Sequence, residues 1–373
     1  MTRMHYTVDF KSTQKRTIFT HLFLHLNICF MNHISFGKML FISALFFTCA
    51  GRVTAQDLFP IEDKGKYGFI DKTGKVVINP QFDFAQNFSE DMAVVKVGGN
   101  SGFIDKTGKT VVPTQYDKAT DFADGLAGVK KGTKWMFIDK AGKTIFEVKC
   151  DYAYKFSGGL ARVQVGSKMG YVDKSGNLSI KPDYDAAYDF VEGMARVAKG
   201  NKWGFIDKTG KLVIDYKYDE CFDFSEGMAN CRMGSESTGK WGFIDKTGKT
   251  VIDFQFDRAW TFSDGLALIR VGDYKSGKFG YIDKSGKTVI NPIYSGAEMF
   301  KDGLACVSTS PLVGGVLKDP KWQYIDKTGK IVISKGFSYK SNFNKGLAKV
   351  AGADLKAGYA FGYIDKTGKF IWP

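Results

Sequence analysis

Trp203-Gly204-Phe205-Ile206-Asp207-Lys208-Thr209-Gly210-Lys211-Leu212-Val213-Ile214 consists of two β-rich runs on either side of Asp-Lys-Thr-Gly. In that turn the Asp side chain accepts backbone donors, and Gly supplies the positive φ that closes a type I turn with a bulge. The stretch therefore predicts a β-hairpin. Strand alternation puts Trp203 and Phe205 on one face, Gly204 and Ile206 on the other. Both faces are apolar or bare, so the strand has to be covered on two sides. Gly204 and Gly242 are expected to let an aromatic ring of a neighbouring unit lie against the backbone.

The same turn begins at Asp71, Asp105, Asp139, Asp173, Asp207, Asp245, Asp283, Asp326 and Asp365, so the chain is a tandem repeat. From each turn Asp to the Ala of a downstream Gly-Leu-Ala or Gly-Met-Ala is 22 residues in all eight complete units, from Asp71–Ala93 to Asp326–Ala348. From that Ala to the next Trp position the distance is 8 residues four times, then 12, 12, 17 and 13. All length variation falls in one loop, giving the insertions Met233–Gly239, Gly272–Gly277, Ser308–Lys321 and Ala351–Ala360.

The expected fold class is all-β: hairpin repeats of about 34 to 43 residues over 56–373, eight plus a terminal half unit, stacked as an open solenoid or superhelical array. Nine hairpins against eight Gly-Leu-Ala strands favour an open stack capped by Phe370-Ile371-Trp372-Pro373, and 34 residues is short for a four-stranded blade. A propeller-like closed ring is the alternative.

Residues 1–55 read as a leader. Lys38 precedes the apolar run Met39–Ala50, and Val53-Thr54-Ala55 suits cleavage after Ala55; a start at Met31 would leave 25 residues to be removed. The run is short for a bilayer span, so the mature protein is expected to have no transmembrane segment and to be periplasmic, on the cell surface or secreted. Taking six basic and one acidic residues away from 53 and 39 leaves 47 Lys+Arg against 38 Asp+Glu, net +9. All four histidines lie in the first 33 residues, which removes imidazole triads and His-ligated zinc from the mature chain. Cys150, Cys221 and Cys231 replace core residues of other repeats and read as buried free thiols, with Cys306 the exposed one.

Lys-Trp-Gly-Phe-Ile-Asp-Lys-Thr-Gly-Lys at 202–211 and 240–249, with Gly-[Leu/Met]-Ala downstream, resembles the WG (KWG) repeat of bacterial proteins, over about residues 65–373. The resemblance implies a β-rich array, often in exported proteins, and carries over no catalytic residue, cofactor or metal. Trp135, Trp203, Trp241 and Trp322, with Asp207 and Gly210, are then structural: core layers and turn caps rather than a sugar-stacking ladder or a calcium site. Gly102–Thr110 has five residues between its glycines and lies in a hairpin, so it is not a phosphate-binding loop.

The expected function is an exported, non-enzymatic binding or scaffold protein of the cell envelope or extracellular space. The alternative is a hydrolase of an envelope polymer using a carboxylate pair among residues such as Glu90, Asp91, Glu192, Glu226 and Asp264. Its partner would be a protein or an anionic envelope glycan or lipid, with nucleic acid unfavoured. Two surfaces qualify. The four insertions fall between the same two strands and are expected to emerge on one side of the carboxyl-terminal half as a partner surface, with Ser308, Leu312, Val313, Val316, Lys318 and Lys321 of Ser308–Lys321 as the candidate partner loop. Lys72, Lys106, Lys140, Lys174, Lys208, Lys246, Lys284, Lys327 and Lys366 follow every turn Asp and would form a ridge for polyanions.

Overall fold

The structure, a computed structural model, describes residues 56–352, 355 and 359–372. The chain divides into two units, 1–56 and 57–373, and the second is the repeat array. The leader expected over 1–55 lies outside the described residues.

Each repeat becomes one small antiparallel sheet. β1 (Phe59–Asp63), β2 (Lys66–Ile70) and β3 (Val76–Phe82) form the first; β4 (Phe84–Ala85), β5 (Met92–Val97), β6 (Asn100–Asp105) and β7 (Thr110–Tyr116) form the second, in that order. Seven more four-stranded sheets follow, over 118–148, 152–184, 186–218, 220–256, 258–294, 296–337 and 339–372. A 34-residue unit suffices for four strands because in most sheets, as with β4, the leading strand is only two residues long.

The ring is closed. At each junction the aromatic face of one blade meets the Ala-Val-Ile face of the next: Phe103, Val112 and Tyr116 of blade 2 pack on Ala127, Val129 and Ile138 of blade 3. The same packing recurs through blade 9, whose Leu347 and Tyr363 bury Phe59, Ile61 and Ile70 of blade 1. The Tyr363 phenol donates to the Pro60 carbonyl at 2.9 Å. Turn glycines follow the same cycle: a Cβ on Gly210 would sit 3.3 Å from Ile180 in the preceding blade, and one on Gly74 of blade 1 would strike the Ile371 carbonyl of blade 9 at 2.0 Å. Burying five large apolar side chains at the seam provides on the order of 10 kcal/mol of transfer free energy before ordering entropy, which an open stack would forgo.

The open solenoid is thus corrected to a nine-bladed β-propeller, the alternative architecture. The repeat count misled because β1 occupies the place of the missing Gly-Leu-Ala strand, with Phe59 paired to Ile70 as Ala93 is to Ile104, while its sequence Phe-Pro-Ile-Glu-Asp shows none of the motif. The terminal half unit is no cap: Gly362–Asp365 and Phe370–Trp372 complete blade 9 behind Tyr339–Lys340 and Leu347–Ala351.

The glycine reading is corrected too. A Cβ on Gly204 would lie 2.4 Å from the Ile214 carbonyl, and one on Gly242 2.7 Å from that of Ile252, so the close neighbour is the blade's own outer strand rather than a foreign ring. The outer strand bulges there, with Trp203 opposite Tyr218 but Phe205 opposite Ile214. Blade 3, with Met136 in place of Gly, lacks this bulge: Trp135, Met136 and Phe137 face Val148, Glu147 and Phe146 in plain register. Cys221 and Cys231, directly opposite on neighbouring strands, form a disulfide, while Cys306 is fully buried and Cys150 half-buried. Cys221 and Cys231 are buried as expected but not free, since periodicity reports which face a residue occupies and not which residue stands across from it, and the exposure expected of Cys306 is overturned as well.

Candidate functional site

Antiparallel order gives the ring two distinct ends. The Asp-Lys-Thr-Gly turns share one end with the tight turns that precede each Gly-Leu-Ala strand; the variable loops and the links between blades share the other.

At the first end the chemistry is spent on structure. Asp207 Oδ1 accepts from Thr209 Oγ1 at 2.6 Å, Thr209 N at 2.9 Å and Lys211 N at 3.1 Å. The Thr209 hydroxyl, followed by the backbone donors, holds the Asp207 carboxyl below its ordinary value. The carboxylates considered for hydrolysis tie blades together. Glu90 accepts from Gly125 N, Glu192 from Gly227 N and Glu226 from Gly265 N, each at 3.1 Å, and Asp264 from Gly303 N at 2.6 Å, always in the following blade. Asp91 pairs with Lys106 at 2.7 Å.

Most of the lysine row belongs to the same network. Lys72 pairs with Asp57, Lys140 with Glu90, Lys246 with Glu192 and Lys284 with Glu226, at 2.9 to 3.4 Å, and Lys366 donates to the Asp302 carbonyl at 2.5 Å. Lys208 lies 3.3 Å from the position a Cβ would take on Gly158. Lys174 and Lys327 are exposed and make no ion pair among the described residues. Equivalent turns of a ring form a circle, so these lysines alternate with carboxylates around one face. Exposed pairs of this kind contribute about 0 to 1 kcal/mol each, but together they absorb much of the charge expected to be free.

The opposite end carries the irregularity. Insertions of blades 6 to 9 emerge there side by side; that of blade 9 includes residues 353–354 and 356–358, which lie outside the described residues. Over blades 6 and 7 they border a groove of about 780 Å³ lined by Arg232, Arg258 and Arg270, by the carboxylates Glu220, Glu236 and Asp257, and by aromatic rings. It continues past Tyr274 and Phe279 into a second hollow of about 440 Å³ against Leu312, Val316, Leu317 and Trp322 of blade 8. Trp241, Trp260, Tyr274 and Phe279 are its aromatic walls, Trp260 and Phe279 having ring centroids 5.7 Å apart.

The proposed partner loop folds as a small hairpin of its own, Leu312–Val313 paired with Val316–Leu317, with Val313 and Val316 exposed. Ser308 is buried, and Lys318 and Lys321 are exposed, the Lys321 amide donating to Ser310 Oγ at 3.0 Å. Trp135 and Trp241 are 1% exposed, whereas Trp203 and Trp322 are half-buried, so the Trp row is no continuous platform. Tyr274 belongs to the insertion Gly272–Gly277, whereas the groove residues Arg258, Trp260 and Arg270 escaped sequence reasoning. Their signal was departure from the repeat: Arg258 stands where other blades have Phe84 or Lys118, and Trp260 falls outside the Trp register.

No group of three or more His, Cys, Asp or Glu residues positioned to hold a metal ion is found among the described residues. A nine-bladed ring of one repeated sheet, with a structural face and a grooved face, defines the class: a repeat β-propeller. Residues 67–100, 102–135, 135–168, 169–203, 203–235, 241–274, 279–309 and 322–351 each match the family described as WG containing repeat, and the chain belongs to that family. The comparison with curated proteins returns no match. Among solved structures, a crystal structure of the eukaryotic initiation factor is similar at 12% identity and TM-score 0.59, covering 84% of this chain and 95% of that one. Dihydro-heme d1 dehydrogenase NirN in complex with DHE is 13% identical at TM-score 0.42, covering 75% of this chain and 74% of its own. Apo AztD from Citrobacter koseri is 12% identical at TM-score 0.41, covering 75% and 94%. At such identities the first likeness shows the fold alone.

Proposed function

We propose that this chain is an exported, non-enzymatic binding propeller of the bacterial envelope or extracellular space, and that it holds a partner on the loop face over blades 6 to 8. The observation that carries the reading is the clustering of insertions on neighbouring blades at one end, bordering an aromatic groove, while the other end is regular and internally paired. Export draws support from the Cys221–Cys231 disulfide, a bond that persists in oxidising compartments. It also draws support from the start of the compact unit at Asp57, close behind the expected cleavage after Ala55. The carboxylates a hydrolase would use are each engaged by a glycine amide or a lysine, which favours binding over catalysis.

The test has two arms. Amino-terminal sequencing of the protein from an envelope or culture fraction should return Gln56 as first residue. Replacing residues 309–320 by a short Gly-Ser link should leave the melting temperature within a few degrees and remove a partner identified by crosslinking in the native envelope. An unprocessed cytosolic protein, or a partner still crosslinked to the shortened loop, would count against the reading.

A further inference from the structure

Arg258 and Arg270 stand directly opposite each other on adjacent strands of blade 7. Like charges in that relation are destabilising, and the neighbouring blade shows the compensated version, Glu220 opposite Arg232 with Oε2 to Nε at 3.4 Å. Neither blade-7 arginine makes an ion pair among the described residues. Asp257, close enough to act on Arg270 through space, is engaged by Lys240 at 2.6 Å and the Gly272 amide at 2.7 Å. Asp273 caps its own loop through Lys275 N at 2.6 Å and Ser276 N at 2.8 Å.

Arg270 Nε is buried without a hydrogen-bond partner, a costly state for a charged donor. Burial, then the facing Arg258, pushes the Arg270 guanidinium below its ordinary value. Arg258 lies between two indoles, 5.6 Å from the Trp241 and Trp260 rings, so its planar fork is held in place rather than swinging in solvent. Lys118 and Lys130 repeat the like-charge pairing in blade 3, but there Lys118 is exposed and water screens the repulsion. In blade 7 both arginines are half-buried.

The hollow that adjoins this pair is mostly apolar, with Leu312, Val316 and Leu317 on one side and Phe279 and Trp322 on the other, and the two are joined by Tyr274, whose ring lies against Gly315: a Cβ there would meet it at 2.7 Å. The site therefore offers two unpaired guanidiniums, an aromatic wall, and an apolar recess one or two residues' reach away. We propose that Arg258 and Arg270 seat a carboxylate of an acidic peptide segment, with a neighbouring leucine or phenylalanine of that segment entering the recess formed by Leu312, Val316, Leu317 and Trp322. The arrangement favours a peptide over an acidic glycan because Leu312, Val316 and Leu317 give the recess an aliphatic edge, which a branched apolar side chain fills and a hydroxylated sugar does not. The inference rests on the loop-face reading and adds the chemistry of the ligand.

The test uses the mature chain and a fluorescein-labelled peptide of three glutamates followed by two leucines, read by anisotropy in low salt. Its controls are the same peptide with glutamines, and oligogalacturonate as competitor. Wild type should bind the glutamate peptide at least about tenfold more tightly than the glutamine peptide, and Arg258→Gln and Arg270→Gln should each remove most of that difference. Neither variant should melt lower than wild type, because each relieves repulsion. Equal affinity for both peptides, or binding unchanged in both variants, overturns the carboxylate seat. If binding is then lost on shortening 309–320, the loop-face reading survives that failure. Displacement by oligogalacturonate at lower concentration than by unlabelled peptide overturns the peptide in favour of a glycan. A marked loss of melting temperature in both variants also overturns the proposal, since the arginines would then hold the fold.

Discussion

At the scale of single residues, the family's characteristic glycine lets the bulged outer strand pass close in six blades, while blade 8 keeps the same bulge with Gln323 at that position. Gly204→Ala would place a methyl 2.4 Å from the Ile214 carbonyl, and the overpacking should cost about 1 to 3 kcal/mol in urea unfolding. A midpoint within error of wild type would show that the outer strand moves aside freely. The turn aspartates predict an acid limb. Asp207, Asp245, Asp283 and Asp326 are held below their ordinary value, first by the Thr or Ser hydroxyl two residues on. Their stabilisation is complete above the ordinary carboxylate range and is lost as pH falls through the lower, folded-state values. Asp223 acts in the opposite sense: burial raises it despite Arg196 at 2.8 Å, so its ionised form opposes folding near neutrality and that penalty fades on acidification. The urea midpoint should fall steeply below about pH 4, and a variant with all four turn aspartates changed to Asn should show a flatter limb. A wild-type midpoint constant down to pH 3 would contradict the assignment.

At the scale of the element, a blade is stable only because its neighbours cover both faces, and the loops at its ends contribute little to that. The Cys221–Cys231 bridge is a local exception, tying the short first strand of blade 6 to its second. Cys221→Ala with Cys231→Ala should cost about 2 to 3 kcal/mol, and reduction of the wild type should reproduce most of the loss. If reduction leaves the melting temperature unchanged, the bridge does not form in solution. The hairpin at 312–317 was legible only as an insertion, because Leu-Val-Gly-Gly-Val-Leu has no counterpart elsewhere in the chain.

At the scale of the molecule, closure is the decisive property. A closed ring of 318 residues should have a radius of gyration of about 20 Å by small-angle scattering, and a clearly larger value would restore the open array. The seam is also a point of weakness, since no strand of one blade is shared with the other chain terminus. It is held by side chains: the Phe59, Ile61 and Ile70 cluster, the Tyr363 phenol, and Asp57 bridging Lys72 and Lys345 at 2.9 and 2.8 Å. Lys345 occupies a turn position that six other blades fill with Glu or Asp and blade 4 with Gly158, so the charge reversal at the seam is matched by Asp57 from the incoming chain. Deleting residues 56–63 should expose Leu347 and Tyr363 and convert the monomer into larger species on size exclusion; a monodisperse monomer would show that closure does not depend on β1.

The local structure of this protein was written in its sequence because hairpins are set by short-range chemistry. An Asp that caps its own turn, a Gly at positive φ and alternating apolar residues act within a dozen positions, so Asp207, Gly210 and the buried Trp241 were readable, as was the confinement of all insertions to one loop. Whether the array closes depends on the small rotation between successive blades, accumulated nine times, and on the packing of β1 against residues some 300 positions away; no local motif encodes either. The groove is of the same kind. Arg258 and Arg270 are 12 residues apart in the chain and face each other within blade 7, but the Trp241 wall and the recess beside them exist only once strands from blades 6, 7 and 8 are set side by side.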